Sequence, residues 1–254
     1  MDTGSSVAGH RLDPDHVNDR RHALEEVIAT SDVLFTRFLR GSMSCAAHLP
    51  PVNLNHISST SILSAEHRVI LQTLAVMDKM ADRAAADRKI PVAHAEDALT
   101  FLRHFADKCH HGKEEDILFP ALEAIHPGFG PAAVMREEHV EGRSYIAAIA
   151  AAVAANDVVG FIRSTKQYIG LLTPHIDKED NILYRMADQM LSPEDDAALI
   201  EAYRRLEHDD MGSGTHERML GLADSLALAY DVPRASAEPR IMELLTCVCG
   251  CKKP

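Results

Sequence analysis

Two stretches of this chain align without a gap: His110-His-Gly-Lys-Glu114-Glu-Asp-Ile-Leu-Phe119 on His175-Ile-Asp-Lys-Glu179-Asp-Asn-Ile-Leu-Tyr184. Each carries His-x-x-x-Glu, then an acidic residue, then Ile-Leu-aromatic. Upstream, Glu66-His67 has a counterpart in Glu138-His139. On a helix, residues four apart leave the same face one turn from each other. His110 with Glu114, and His175 with Glu179, can then each aim at one point. The stripes agree: Leu99, Leu102, Ala106, His110, Glu114 and Ile117 follow a period near 3.6, as do Ile162, Tyr168, Leu172, His175, Glu179 and Ile182. His67 and His139 also interrupt apolar stripes. The frame predicts four helices that each send a histidine into a shared core, two of them adding a glutamate. Buried carboxylates are costly unless paired or metal-bound, so His67, His110, Glu114, His139, His175 and Glu179 together call for cations.

The rest of the chain supports an all-α fold. Val/Ile/Thr/aromatic alternation is nearly absent, and Ala, Leu, Met and charged residues dominate. Pro, Gly and Ser/Asn/Asp punctuation places four long helices at about 60–87, 91–125, 131–155 and 157–190, with short connections that favour an up-down-up-down bundle. Asp157 reads as the N-cap of the fourth. Pro120 should break or kink the second near its end, and Pro174 should kink the fourth just before His175. A helix at about 14–39 followed by a linker forms an N-terminal extension (1–59), in which Met43 is a second candidate start. Two further helices, from Ser192-Pro193 and from a capping Thr215, pack outside the bundle (191–230). Residues 231–254 read as an irregular tail carrying Cys247, Cys249 and Cys251.

Composition excludes several function classes. With 26 Lys+Arg against 38 Asp+Glu the net charge is −12, so nucleic acid and anionic membrane are poor partners. The longest apolar run, Ile146 to Ala155, is too short to span a bilayer, and no secretory leader is visible. The 5 cysteines form no disulfide framework. A soluble protein of a reducing cytoplasm is expected.

The 15 histidines divide by position. Besides the four in the frame, His111 lies one step, about 100°, off the His110 stripe and shares a face with His104 and Glu115, which assigns it to the rim or to supporting a ligand rather than to ligation. Glu66 and Glu138 are candidates to orient a neighbouring imidazole, with a solvated helix face as the alternative. His208 and His216 can cap the bundle end. Cys109 reads as a small apolar residue. The Cys247-x-Cys249-x-Cys251 spacing suits soft-metal or redox chemistry, or simply a disordered end. A mixed imidazole/carboxylate set suits Fe, Mn or Zn. Four His and two Glu in one core suggest two ions bridged by the carboxylates.

This H…HxxxE…H…HxxxE pattern over about 60–190 resembles the hemerythrin-like (HHE cation-binding) family, and the stretch 109–120 looks like a signature of its bacterial members. The resemblance implies a four-helix bundle around a non-haem di-iron centre, iron being preferred to Zn or Mn. His67 with His110 would serve one ion, His139 with His175 the other, and Glu114 and Glu179 would bridge. It implies binding of, or reaction with, O2, NO or peroxide, as sensing, scavenging or redox turnover. The alternative is an iron donor or iron-responsive protein that meets a protein partner through its terminal extensions. Whether the chain is an enzyme stays open. Oxygen-carrying hemerythrins resemble this chain but have a further His four residues after the third-helix His, where Arg143 stands here. They also use a longer carboxylate spacing in the last helix. Arg143 cannot ligate, which implies one more open coordination position and favours small-molecule reaction, sensing or iron donation over O2 carriage.

Overall fold

The computed structural model describes residues 57–249 apart from Met211 and Ser213. The helix expected at about 14–39, Met43, Cys45 and Cys251 lie outside the described residues. Among the described residues there is no strand, and no helix is long and apolar enough to cross a membrane. We number the helices α1 (Ser59–Asp87), α2 (92–125), α3 (Gly130–Ala155), α4 (158–190), α5 (Pro193–Arg205, continued by a wide turn Leu206–Asp210), α6 (Thr215–Ala229) and α7 (Pro239–Cys249).

The ends of these helices follow from local chemistry. Ser58 and Ser61 cap α1 reciprocally, each side chain accepting the other's backbone N–H at 3.2 and 2.9 Å. Ser59 ties the same turn to α5 by donating its N–H and hydroxyl to Asp196 at 2.9 and 2.6 Å. Asp157 caps α4 as expected, accepting from Gly160 N at 2.9 Å. A Cβ on Gly160 would sit 2.2 Å from the Asp157 Oδ2 atom, so only glycine leaves room for this cap. Asp157→Ala is expected to lower the unfolding free energy by about 1 kcal/mol, and Gly160→Ala by a similar amount, both measurable by urea titration. Thr215 is no cap: it is the first residue of α6, and Gly214, left-handed at φ 80°, precedes it. Lys79 of α1 instead closes the far end of α6, donating to the Tyr230 and Asp231 carbonyls at 2.9 and 2.7 Å.

Two long helices change their winding. α2 is α-helical over Val92–Phe101, winds more widely with i→i+5 bonding over Leu102–His111 and Glu114–Leu118, and returns to α over Phe119–Ile125. α4 is α-helical over Val158–Lys178, wide over Glu179–Leu183, and α again over Tyr184–Met190. The sequence repeat is thus a structural repeat, since each motif glutamate opens a wide turn. This corrects the break expected at Pro120. Pro120 does not end α2, because it falls in the first turn of the resumed α stretch, where a missing N–H costs little. α-Helix continues past Pro174 to Lys178, and the departure from α geometry comes at Glu179 instead.

Residues 231–249 are not irregular throughout. Pro233 and Pro239 flank rather than interrupt a helical pattern, Pro239 taking the first position of α7. Leu244 and Leu245 are buried, and α7 lies against α1 and α5.

The packing brackets a polar layer. α4 lies along both α1 and α3, and α2 touches the same two helices, while α6 lies against α1 and α2. One apolar cluster gathers Ile70, Phe105, Ile146, Leu172 and Ile176 with Met219 and Leu226 of α6. A second gathers Leu63, Leu118, Met135 and Leu183 with Leu199 and Tyr203 of α5. On every one of α1–α4 the frame histidine falls between a residue of one cluster and a residue of the other.

Candidate metal centre

All six residues of the frame come together and are buried, none more than 1% exposed. Donor atoms of His67, His110, Glu114 and Glu179 lie within 4.8 Å of one another, and so do those of His111, His139 and His175. The carboxylates reach both groups. Glu114 Oε2 is 3.6 Å from His110 Nε2 and 3.5 Å from His139 Nε2. Glu179 Oε2 is 3.3 Å from His67 Nε2 and 3.2 Å from His175 Nε2, with its Oε1 3.8 Å from His139 Nε2. The helix geometry explains this, since each glutamate is one turn beyond its histidine.

The outer ring nitrogens fix which atoms face inward. His67 Nδ1 meets Asp180 at 2.9 Å, His110 Nδ1 meets Glu66 at 2.9 Å, His139 Nδ1 meets Glu115 at 2.7 Å and His175 Nδ1 meets Glu138 at 2.7 Å. An ionised carboxylate only accepts, so each Nδ1 carries a hydrogen and each Nε2 is the atom turned toward the centre. The orienting groups obey the repeat: Glu66 pairs with Glu138, and Glu115 with Asp180. Lys113 and Lys178 donate to Glu66 and Glu138 respectively. Glu66 and Glu138 are therefore imidazole orienters, not a solvated face.

The inward-facing atoms lack partners of their own. Glu114 Oε2 and both Glu179 oxygens are buried without a hydrogen bond. His139 and His175 point Nε2 at Nε2 across 3.1 Å. Burial and the neighbouring Glu179 push the Glu114 carboxyl well above the usual range. Burial acts against charge on His175 too, but Glu179 and Glu138 outweigh it and raise that imidazole to about 9. Burial and nearby His67 lower His110 to about 4. Two imidazole Nε2 atoms turned on each other, beside orphaned carboxylate oxygens, form a donor set that cations satisfy.

Of the two expectations for His111, the rim does not hold, while a place beside a frame histidine does. It is 5% exposed and stacks on His139, ring centroids 3.8 Å apart. The 100° step used for the sequence holds for α-helix, but His111 ends a wide turn in which successive residues rotate less, so His110 and His111 both face inward. Its repeat counterpart, Ile176, is buried too but brings no donor. The readable signals were the His-His doublet and Asp107 four residues before His111, whose carboxylate is 3.5 Å from His111 Nδ1. Arg143 donates to Asp107 at 2.7 Å and to Glu115 at 2.8 Å, so it holds the two acids that face His111 and His139. On the other side, buried Tyr184 donates to Glu114 Oε1 at 2.6 Å, its hydroxyl 3.5 Å from His67 Nε2. The repeat puts Phe119 at the corresponding position.

Other candidates fall away from the centre. His208 is exposed and pairs with Asp209. His104 bonds its own helix carbonyl at Thr100. Cys109 is a buried free thiol that burial holds un-ionised. His216 is buried beside Glu207, away from these donor groups.

The profile of the hemerythrin HHE cation-binding domain matches residues 58–187, which spans α1 to α4. The chain belongs to this family. It is similar to uncharacterized protein Rv1995 of Mycobacterium tuberculosis (strain H37Rv) and to uncharacterized protein Mb2018 of Mycobacterium bovis. Each is 24% identical over 205 residues, covering 76% of this chain and 80% of the relative. No solved structure matches the chain. Buried His/Glu clusters and membership of a cation-binding family agree on metal binding.

Proposed function

We propose that the chain is a di-iron hemerythrin-like protein that binds or reacts with O2, NO or peroxide. The observation that carries this reading is the set of four imidazoles whose Nδ1 atoms are taken by carboxylates and whose Nε2 atoms converge on Glu114 and Glu179. His67 and His110 would hold one ion, and His139 and His175 the other, with His111 as a further donor on that side; Glu114 and Glu179 would bridge. Bound iron supplies redox and Lewis-acid chemistry at this place. The protein supplies orientation, two apolar clusters that keep bulk water away, and Tyr184 as a hydroxyl donor beside Glu114. The scaffold is an up-down-up-down bundle: α1 and α3 run from the second apolar cluster to the first, and α2 and α4 run back.

Anaerobic purification followed by metal analysis tests this directly. About two irons per chain are expected, with a change in visible absorption on adding O2, NO or peroxide. Less than one iron per chain and no spectral change would end the proposal. Labile iron that transfers to an apo-protein, with no response to the small ligands, would move the assignment to iron donation.

His111 has its own test. Its ring lies nearly parallel to that of His139, at 15°, so one of the two must turn for both to ligate a single ion. His111→Ala is expected to weaken one ion roughly 10–100-fold and to leave the other in place, as read by chelator competition. Unchanged affinity for both would make His111 a stacking residue only.

A further inference from the structure

We infer that the segment beyond the family domain completes the metal centre on one side only, with Glu207 and His216 acting as positioning residues for His110. This rests on the metal reading above. The domain match ends at residue 187, yet a continuous buried chain of contacts leaves the centre and passes into α5 and α6. His110 Nδ1 bonds Glu66 at 2.9 Å; the other Glu66 oxygen accepts from Lys113; and the Lys113 ammonium also donates to Glu207, in the wide turn after α5. Glu207 Oε2 then faces His216 Nδ1 of α6 at 3.6 Å. Every side chain in this series is at least nine-tenths buried. His216 stacks on Phe105, centroids 5.3 Å apart, which seals the outer end.

The other copy of the repeat stops short. His175 bonds Glu138, and Glu138 accepts from Lys178, but that lysine side chain is 22% exposed and, among the described residues, no second acid shares it. Two physical differences follow. An ammonium shared by two carboxylates neutralises neither one fully, so Glu66 keeps negative charge where it holds His110 Nδ1. Glu138 faces its lysine alone, and water screens that pair. The charges Glu66, Lys113 and Glu207 sum to −1 in a dry site, which favours a cation at the far end of His110. The series therefore makes the two ions inequivalent, with His110 on the His67/His110 side braced by residues that lie beyond the matched domain.

The full-length protein, loaded with ferrous iron under anaerobic conditions, tests this with Glu207→Gln and Glu207→Leu, and with His216→Gln. Glu207→Gln keeps size and one acceptor while removing the charge, so it covers the case in which the leucine variant fails to fold. Release of iron to a chelator and the Mössbauer spectrum are the readouts. In the Glu207 variants, one iron of the two is expected to leave about 10–100-fold faster and to change its spectral parameters, while the other keeps wild-type behaviour. His216→Gln should give a smaller effect on the same iron. Wild-type release of both irons in the Glu207 variants would overturn the inference. Equal acceleration of both would overturn it too, since general loosening does not choose a side. A wild-type protein that takes up no iron would instead overturn the metal reading beneath it.

Discussion

Glu114→Ala is expected to cost the protein both ions. Glu114 is fully buried, and its Oε2 stands almost midway between His110 Nε2 and His139 Nε2, at 3.6 and 3.5 Å. Its removal takes a ligand from each donor group at once and leaves Glu179 as the single carboxylate facing two divalent charges. It also frees the Tyr184 hydroxyl, which donates to Glu114 at 2.6 Å, to approach His67. Metal content should fall from about two per chain to below one, and affinity by more than the roughly 10–100-fold expected for an outer-layer residue. Glu114→Asp, which keeps the charge but shortens the reach by one methylene, should fall between. Plasma-emission metal analysis after gel filtration is sufficient. Two tightly held ions in the alanine variant would remove Glu114 from the bridging role.

Stripping metal from the wild-type protein is expected to lower its melting temperature sharply. The centre lies in the middle of the four-helix layer, where every one of α1–α4 contributes a buried histidine, and an ion bound only by the folded state stabilises that state by mass action. With free metal a thousandfold above Kd, one ion contributes about 4 kcal/mol, which for a domain of this size corresponds to roughly 8–16 °C. The same chelation applied to a Glu114→Leu/Glu179→Leu double variant should leave its melting temperature unchanged, because it has no bridging oxygens to lose. Differential scanning calorimetry with and without chelator, on both proteins, distinguishes bound metal from a merely structural polar layer. A chelator-insensitive wild type would count against metal as a resident component.

The frame residues were readable because their geometry depends only on spacing that survives the change of winding. His110 and Glu114, like His175 and Glu179, are one turn apart whether the turn is narrow or slightly wide. The helix ends were readable for the same local reason, as at Asp157, where a side chain caps three residues ahead. His111 was not readable by that route, because its direction depends on the cumulative rotation of Leu102–His111, and nothing in the residue types announces a wide turn. Nothing in the sequence singles out Lys113; its burial depends on α5 and α6 folding over α2, a tertiary event with no local signature. α7 was missed because two prolines suggested interruption where they in fact mark the ends of an amphipathic turn set. Thr215 was misplaced by one residue, since a left-handed glycine can begin a helix without a side-chain cap.

The internal repeat has one more consequence. Two identical hairpins associating as separate molecules could only build two identical ion sites, since any substitution would appear twice. Here the halves are joined in one chain, and each position can drift alone. His111 stands opposite Ile176, Tyr184 opposite Phe119, and a covered Lys113 opposite a partly open Lys178. Covalent linkage thus allows a division of labour: one half is free to specialise in anchoring its metal while the other specialises in exchange with the surroundings.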